Sequence, residues 1–274
     1  MTSTLEKIVS ETRTRLAAGV STSRRSELEV MAAQHVPRGF RSLLAEAATR
    51  RPAIIAELKE ASPSRGLIRE DFSVIDLASE LAQSGAAALS VLTEEVYFLG
   101  SLDNLRRASQ SVSIPCLRKD FIVDELQLLE ARAYGADAAL LIVAALSDSE
   151  LKHLSRAAQE LELDILCEVH DEEEVRRAAG LGFDMIGVNN RNLRTMQVTL
   201  ETCVRLNTKI PVSVLRVAES GIESGGDIAR LRSIGYQAFL VGESLMKHPR
   251  PGEALRKLVA DAARLSPMFE VARP

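Results

Sequence analysis

From about residue 53 onward the chain alternates short apolar runs with longer amphipathic stretches. The runs are Ala53–Leu58, Ala87–Leu92, Ile114–Leu117, Ala138–Val143, Asp164–Val169, Met185–Val188, Val212–Ala218 and Ala238–Val241. They recur roughly every 20 to 35 residues, and the stretches between them carry helix signals. The segment "DEEEVRRAAGLG", for example, opens on an acidic first turn and closes at Gly182. Apolar runs without strict alternation suit strands covered on both faces, as in a parallel sheet under helices. The first 48 residues precede this rhythm and read as helices in "LEKIVSETRTRL", "SRRSELEVMAAQ" and "RGFRSLLAEAATR".

Two architectures alternate strands with helices in this way. A doubly wound open sheet usually carries a glycine-rich phosphate turn after its first strand, and "KEASPSRG" is not GxGxxG. Eight units with polar residues at nearly every strand end predict a closed (β/α)8 barrel of the TIM type. The reading is one domain over 1–274: a helical extension at 1–48, the barrel at 49–265 and a tail at 266–274.

In such a barrel the C-terminal strand ends converge on one site. Strand one supplies Glu57 and Lys59, which share a face because side chains alternate. Strand two supplies Ser90 and Leu92, and strand three Lys119 and Phe121. Strand four, "LLIVAAL", is apolar, strand five supplies Glu168, and strand six Asn189, Arg191 and Leu193. Strand seven supplies Glu219 and Ser220, and strand eight ends in "VGES". Any one of these reads equally well as a salt bridge or a loop cap. Seven polar ends of eight on one rim favour a site. The chain has seven Lys against 27 Arg, yet both strand-end bases are Lys. Arginine stays charged, whereas a lysine can have its pKa lowered and donate a proton, so proton chemistry is expected.

Glycines after strands seven and eight suggest a second function. Gly221 and Gly242 let backbone N–H groups approach an anion, beside a short helix starting at Glu243–Ser244. Loops after these two strands are where many such barrels bind phosphate. Gly225 and Gly226 read as turns.

Composition narrows the partners. The net charge is −4 and the pI about 5.7, so no basic field points to nucleic acid or an anionic membrane surface. No run approaches the ~18 apolar residues of a membrane span, and the amino terminus lacks a secretory pattern. Cys116, Cys167 and Cys203 make no CxxC and read as reduced structural thiols. A cytoplasmic protein is expected. Of the four histidines only His170, two positions past Glu168, has the rim within reach. The four form no ligand spacing, so a metal is not expected.

With these motifs in order, the sequence resembles the indole-3-glycerol-phosphate synthase family of tryptophan biosynthesis. The matching stretches are "IAELKEASPSRG", "SVLTEEVYFLGS", "LRKDFIVD", "LLIVAAL", "CEVHD", "IGVNNRNL", "AESGI" and "LVGESLM", spanning about residues 53 to 247. The resemblance implies a carboxy-lyase that needs no cofactor. It would close the pyrrole ring of 1-(2-carboxyphenylamino)-1-deoxyribulose 5-phosphate, losing CO₂ and water to give indole-3-glycerol phosphate. It implies Lys119 as general acid on the ketone, Glu168 in proton transfer at dehydration, and Lys59 in holding the substrate anion or protonating the departing hydroxyl. Glu57, Asn189 and Glu219 map onto catalytic positions, and Arg191 and Ser220 onto substrate contacts. Ser62, Gly221, Gly242 and the Glu243 backbone map onto substrate or phosphate binding. Phe121, Leu141 and Leu193 should wall the aromatic ring. The expected state is a monomer that can associate with other tryptophan-pathway enzymes. The alternatives are a phosphoribosylanthranilate isomerase-like barrel, a Schiff-base aldolase and a non-catalytic barrel binding module.

Overall fold

The computed structural model describes residues 3–17, 21–193 and 195–270, the last four in backbone only. Eight parallel strands close into a barrel: β1 Ala53–Leu58, β2 Ala88–Leu92, β3 Cys116–Lys119, β4 Ala138–Ile142, β5 Asp164–Val169, β6 Met185–Asn189, β7 Leu215–Glu219 and β8 Ala238–Val241, with β8 pairing back onto β1. The expected (β/α)8 barrel is therefore the fold. The helices are α1 Thr4–Ala17, α2 Thr22–Gln34, α3 Phe40–Arg50, α4 Val74–Gln83, α5 Leu102–Ser111, α6 Glu125–Ala133, α7 Asp148–Glu160, α8 Glu172–Gly180, α9 Glu201–Asn207, α10 Gly225–Ser233, α11 Glu243–Met246 and α12 Pro251–Glu270. The tail expected from residue 266 begins inside α12, and 271–274 lie outside the described residues.

Strand periodicity divides the apolar residues between two cores. Ile54, Ala56, Leu89, Cys116, Leu141, Cys167, Ile186 and Phe239 face outward under the helices. Ile55, Ala88, Leu117, Leu140, Ile142, Leu166, Met185, Val217 and Leu240 face inward and fill the barrel. All three cysteines are buried free thiols, and burial pushes Cys116 and Cys203 up to about 12. They remain protonated and serve packing, as expected.

Two of the expected runs are shifted. The seventh was expected at Val212–Ala218, but its strand is Leu215–Glu219 and Val212 is 94% exposed. Pro211 starts a turn there, closed by Val214 N–H donating to Pro211 O. The third, expected from Ile114, begins at Cys116, after Pro115, which has no N–H for the ladder.

The helical extension clasps the barrel at both ends. On the C-terminal rim, Arg13 of α1 pairs with Glu150 of α7 at 2.8 Å, and Tyr97 Oη donates to Glu11 at 2.9 Å. At the opposite end α3 leads straight into β1, and Phe40 and Leu44 join the inward core with Ala53, Ala138 and Ala238. Those small strand-start residues leave room for Phe40. Truncation to Phe40→Ala is expected to lower unfolding stability by about 3–5 kcal/mol. Urea titration checks it, and a loss under about 1 kcal/mol would show that α3 is not a plug.

Beside it, Asp137 accepts from the backbone N–H groups of Arg38 and Cys116, both at 2.7 Å, and from Arg38 Nη2 at 2.6 Å. Burial would raise this carboxyl, but hydrogen bonds from His35 and Arg38 outweigh it and hold it low. Its contribution to stability is therefore present above the unfolded carboxylate's ordinary value and is lost as pH falls through the lowered folded one.

Candidate active site

At the C-terminal rim a cavity of about 500 Å³ opens between the strand ends. Alternation along the strands sends Glu57 and Lys59 (β1 and just beyond), Lys119 (β3), Glu168 (β5), Asn189 (β6) and Glu219 (β7) into it together. Lys119 Nζ lies 3.3 Å from Glu168 Oε2 and 3.9 Å from Glu219 Oε2. Lys59 Nζ donates to Glu57 Oε2 at 2.6 Å. Asn189 Nδ2 donates to Glu168 Oε1 at 3.1 Å, and Asn189 Oδ1 accepts from the Arg191 N–H. Six expected polar side chains thus meet in one place.

Their charges are interdependent. Burial alone would lower the Lys119 ammonium, but the carboxylates of Glu168, Glu219 and Glu57 outweigh it and hold Lys119 above its ordinary value. The sequence pointed to proton chemistry at a lysine without fixing the direction of its shift, and the structure keeps this amine protonated. Burial would raise Glu168, yet Lys119, His170 and Asn189 hold it well below the usual carboxylate range. Glu219 goes the other way, because burial and the neighbouring Glu168 push it well above that range. At neutral pH the centre therefore holds an ammonium beside an ionised Glu168, with Glu219 driven toward its protonated form.

Apolar groups wall the rest. Phe121 and Leu193 line the cavity as expected, joined by Phe98, whose ring centroid lies 6.1 Å from that of Phe121. Leu141 does not: it faces outward into the helix-covered core, and Leu140 and Ile142 line the cavity instead. The two-residue alternation of β4 is the reason. Leu5 and Ile8 of α1 complete the wall from above.

Ser62, Ser220, Gly221, Gly242, Glu243 and Arg191 also line the cavity. The Ser62 hydroxyl is buried and has no hydrogen-bond partner among the described residues. Ser220 and Gly221 both take positive φ, 62° and 75°, and a Cβ at Gly221 would come within 2.5 Å of Val198 Cγ1. Ser244 Oγ donates to Ile222 O at 3.1 Å, clipping the loops after β7 and β8 together. The Glu243 side chain is ringed by Arg65 Nε at 2.9 Å, Arg191 Nη2 at 3.7 Å and Lys247. Burial opposes, but Lys247 and Arg65 keep it below its ordinary value.

Several contributors were not legible in the sequence reading. Gly187 faces inward on β6, where a Cβ would overlap Glu219 Oε1. Gly242 likewise leaves room for the Glu57 carboxylate, a steric role besides any anion contact. Asn190 points away from the cavity and donates to the carbonyls of Glu219 and Ser220 at 3.0 and 3.1 Å, fixing the bend after β7. On the outer face of β3, Arg118 and Thr93 hold Asp120, which accepts from the Phe121 N–H at 2.8 Å. The repeated asparagines of "NNRN" were the available signal for Asn190. Nothing local marked Gly187.

Strand-end lysines and carboxylates on an apolar-walled cavity, with glycine turns after β7 and β8, define an enzyme of the phosphate-binding (β/α)8-barrel class. The family model described as "Indole-3-glycerol phosphate synthase" matches residues 5–258, and the chain belongs to that family. A protein named indole-3-glycerol phosphate synthase from Koribacter versatilis (strain Ellin345) is 59% identical over 94% of this chain and 100% of its own length. One of the same name from Albidiferax ferrireducens is 45% identical over 96% of this chain and all of its own. Among solved structures, 3-hexulose-6-phosphate synthase from Salmonella typhimurium superposes with a TM-score of 0.63 at 13% identity, covering 77% of this chain and 99% of its own. Thiamine phosphate pyrophosphorylase from Pyrococcus furiosus gives 0.57 at 17% identity, covering 80% and 98%. These two share the fold alone.

The activity is accordingly that of an indole-3-glycerol phosphate synthase, a carboxy-lyase of tryptophan biosynthesis acting on a phosphorylated small molecule. Among the described residues no helix is long and apolar enough to cross a membrane, and no three His, Cys, Asp or Glu side chains are grouped to hold a metal ion.

Proposed function

We propose that Lys119 is the general acid of ring closure in the conversion of 1-(2-carboxyphenylamino)-1-deoxyribulose 5-phosphate to indole-3-glycerol phosphate. The observation that carries this reading is the Lys119 ammonium, held protonated at 3.3 Å from Glu168 beneath an apolar-walled cavity. The aromatic carbon attacks the ketone carbon while Lys119 protonates the ketone oxygen, which becomes a hydroxyl. The carboxylate then leaves as CO₂, and its bonding electrons return to the ring. In the last step Glu168, ionised, takes a substrate proton as the hydroxyl departs as water, with the leaving oxygen protonated by Lys59. A general acid or base so placed is typically worth ~10²–10⁴-fold in rate. The apolar walls exclude water and strengthen each charge interaction.

In this reading Lys59 and Arg191 hold the substrate's negative charge and Glu57 orients Lys59. Asn189 steadies Glu168, Glu219 faces Lys119 from β7, and Ser62 and Ser220 bind substrate. The backbones of Gly221, Gly242 and Glu243 take the phosphate, and Phe121, Leu193, Leu140 and Ile142 enclose the ring. The chain acts as one cytoplasmic domain over 1–274, a monomer able to associate with other tryptophan-pathway enzymes.

Incubating the protein with the carboxyphenylamino substrate and following indole fluorescence tests the reading. Absence of product at saturating substrate would sink it. A Schiff-base aldolase would need a neutral lysine, against the charge state of Lys119. Borohydride with a ketose phosphate is expected to leave no covalent lysine adduct.

A further inference from the structure

The mechanism above makes no use of His170, although both its ring nitrogens face carboxylates. Nδ1 lies 3.0 Å from Glu174 Oε2, and the His170 backbone N–H donates to the same oxygen at 2.7 Å. Nε2 lies 3.3 Å from Glu168 Oε1, at ion-pair distance but off the hydrogen-bond direction, and has no hydrogen-bond partner among the described residues. Ionised carboxylate oxygens only accept, so a ring placed between two of them is best satisfied with a proton on each nitrogen. That ring is an imidazolium. His170 is only 13% exposed and sits behind Glu168, outside the cavity lining.

We propose that His170 is a positioning residue for Glu168: anchored by Glu174, it sets a fixed positive charge against Glu168 Oε1 and leaves Oε2, the oxygen beside Lys119, for the reaction. The anchor is built into the start of α8. Asp171 caps the helix by accepting from the Glu174 N–H, and this turns the Glu174 carboxylate back onto His170. On the other side, His170 and Asn189 both approach Glu168 Oε1, leaving Oε2 for Lys119. The groups facing His170 are Glu168 on β5 and Glu174 on α8. Glu168 itself faces Lys119 on β3, His170 and Asn189 on β6, with the Glu219 carboxyl on β7 beside it. Burial would lower His170, but the two carboxylates outweigh it and raise it to about 10, so the charge persists across the neutral range. Removing a cation beside a carboxylate shifts that carboxylate toward protonation. The inference rests on the role given to Glu168 above.

The test uses the full chain with His170→Gln, which keeps the size and loses the charge, and Glu174→Gln, which loosens the anchor and carries the same expectation should the first variant not fold. Two readouts are taken. The carboxyl 13C titration of Glu168, assigned by its disappearance in Glu168→Gln, reports the charge effect whatever Glu168 does in catalysis. The pH profile of kcat/KM reports the consequence for the reaction.

Both variants are expected to move the Glu168 titration and the acid limb of the profile upward by about one pH unit or more. At a pH below the acid limb of both proteins kcat is expected to fall by about tenfold, with KM within about twofold. A Glu168 titration unmoved by the substitution overturns the proposal. So does a moved titration with an unmoved acid limb while Glu168→Gln is inactive. Full turnover by Glu168→Gln would instead remove the role of Glu168, and the 13C result would still decide whether His170 sets its charge.

Discussion

Lys119→Ala is expected to lower kcat/KM by about 10²–10⁴-fold, the range for loss of a positioned general acid. Near-normal turnover would remove Lys119 from that role. The same substitution carries a second, independent expectation, because Lys119 is the cation among three buried carboxylates. In the wild-type protein Glu168 is held below the usual carboxylate range. Its contribution to stability is therefore present above its unfolded value and is lost as pH falls. Without Lys119 the Glu168 carboxyl moves upward, with His170 and Asn189 left to oppose burial, so less of that stability is present to be lost. The variant's stability should thus fall less steeply from pH 5 to pH 3 than that of the wild type. Urea midpoints at the two pH values measure this, and parallel slopes would show that Lys119 does not balance the carboxylates.

Gly187→Ala, one methyl group, is expected to lower kcat by about 10²-fold, the cost of displacing a catalytic group by about 1 Å. Its Cβ would overlap Glu219 Oε1 and come within 3.1 Å of Leu166 Cδ1. Leu166 is fully buried and Gly187 is held in register between Glu168 and Val217, so the carboxyl has to move. If displacement of Glu219 is the whole cause, Gly187→Ala adds little to a chain already carrying Glu219→Ala. Full additivity of the two losses would trace the defect to the β6 backbone instead.

The contrast between β1 and β4 shows what could be read in advance. On β1, Glu57 and Lys59 mark one face as the polar one, so alternation alone aims them into the barrel. On β4 every residue is apolar, because the strand is covered by helices outside and by the barrel core inside. Such a strand has no amphipathic phase to check the resemblance by which Leu141 was expected at the ring, and Leu140 and Ile142 line the cavity instead. The seventh strand failed differently: apolar Val212 sits in a turn set by Pro211, where backbone geometry overrides hydrophobicity. Helix α1 was legible as a helix, but its docking over the site was not. Leu5 and Ile8 find their partners only across the rim.

The sequence by itself determined the number and order of the strands, the barrel they close into, and which polar side chains stand at their C-terminal ends. Those features follow from local periodicity and turn chemistry, which act over a few residues. The tertiary structure decided the charge states. Lys119 is kept protonated rather than lowered, and Glu168 and Glu219, both buried glutamates at strand ends, are driven in opposite directions. Charge–charge energies inside a barrel depend on separations of 3 to 4 Å between strands far apart in the chain, and desolvation depends on what covers them. Neither quantity exists until the barrel has closed.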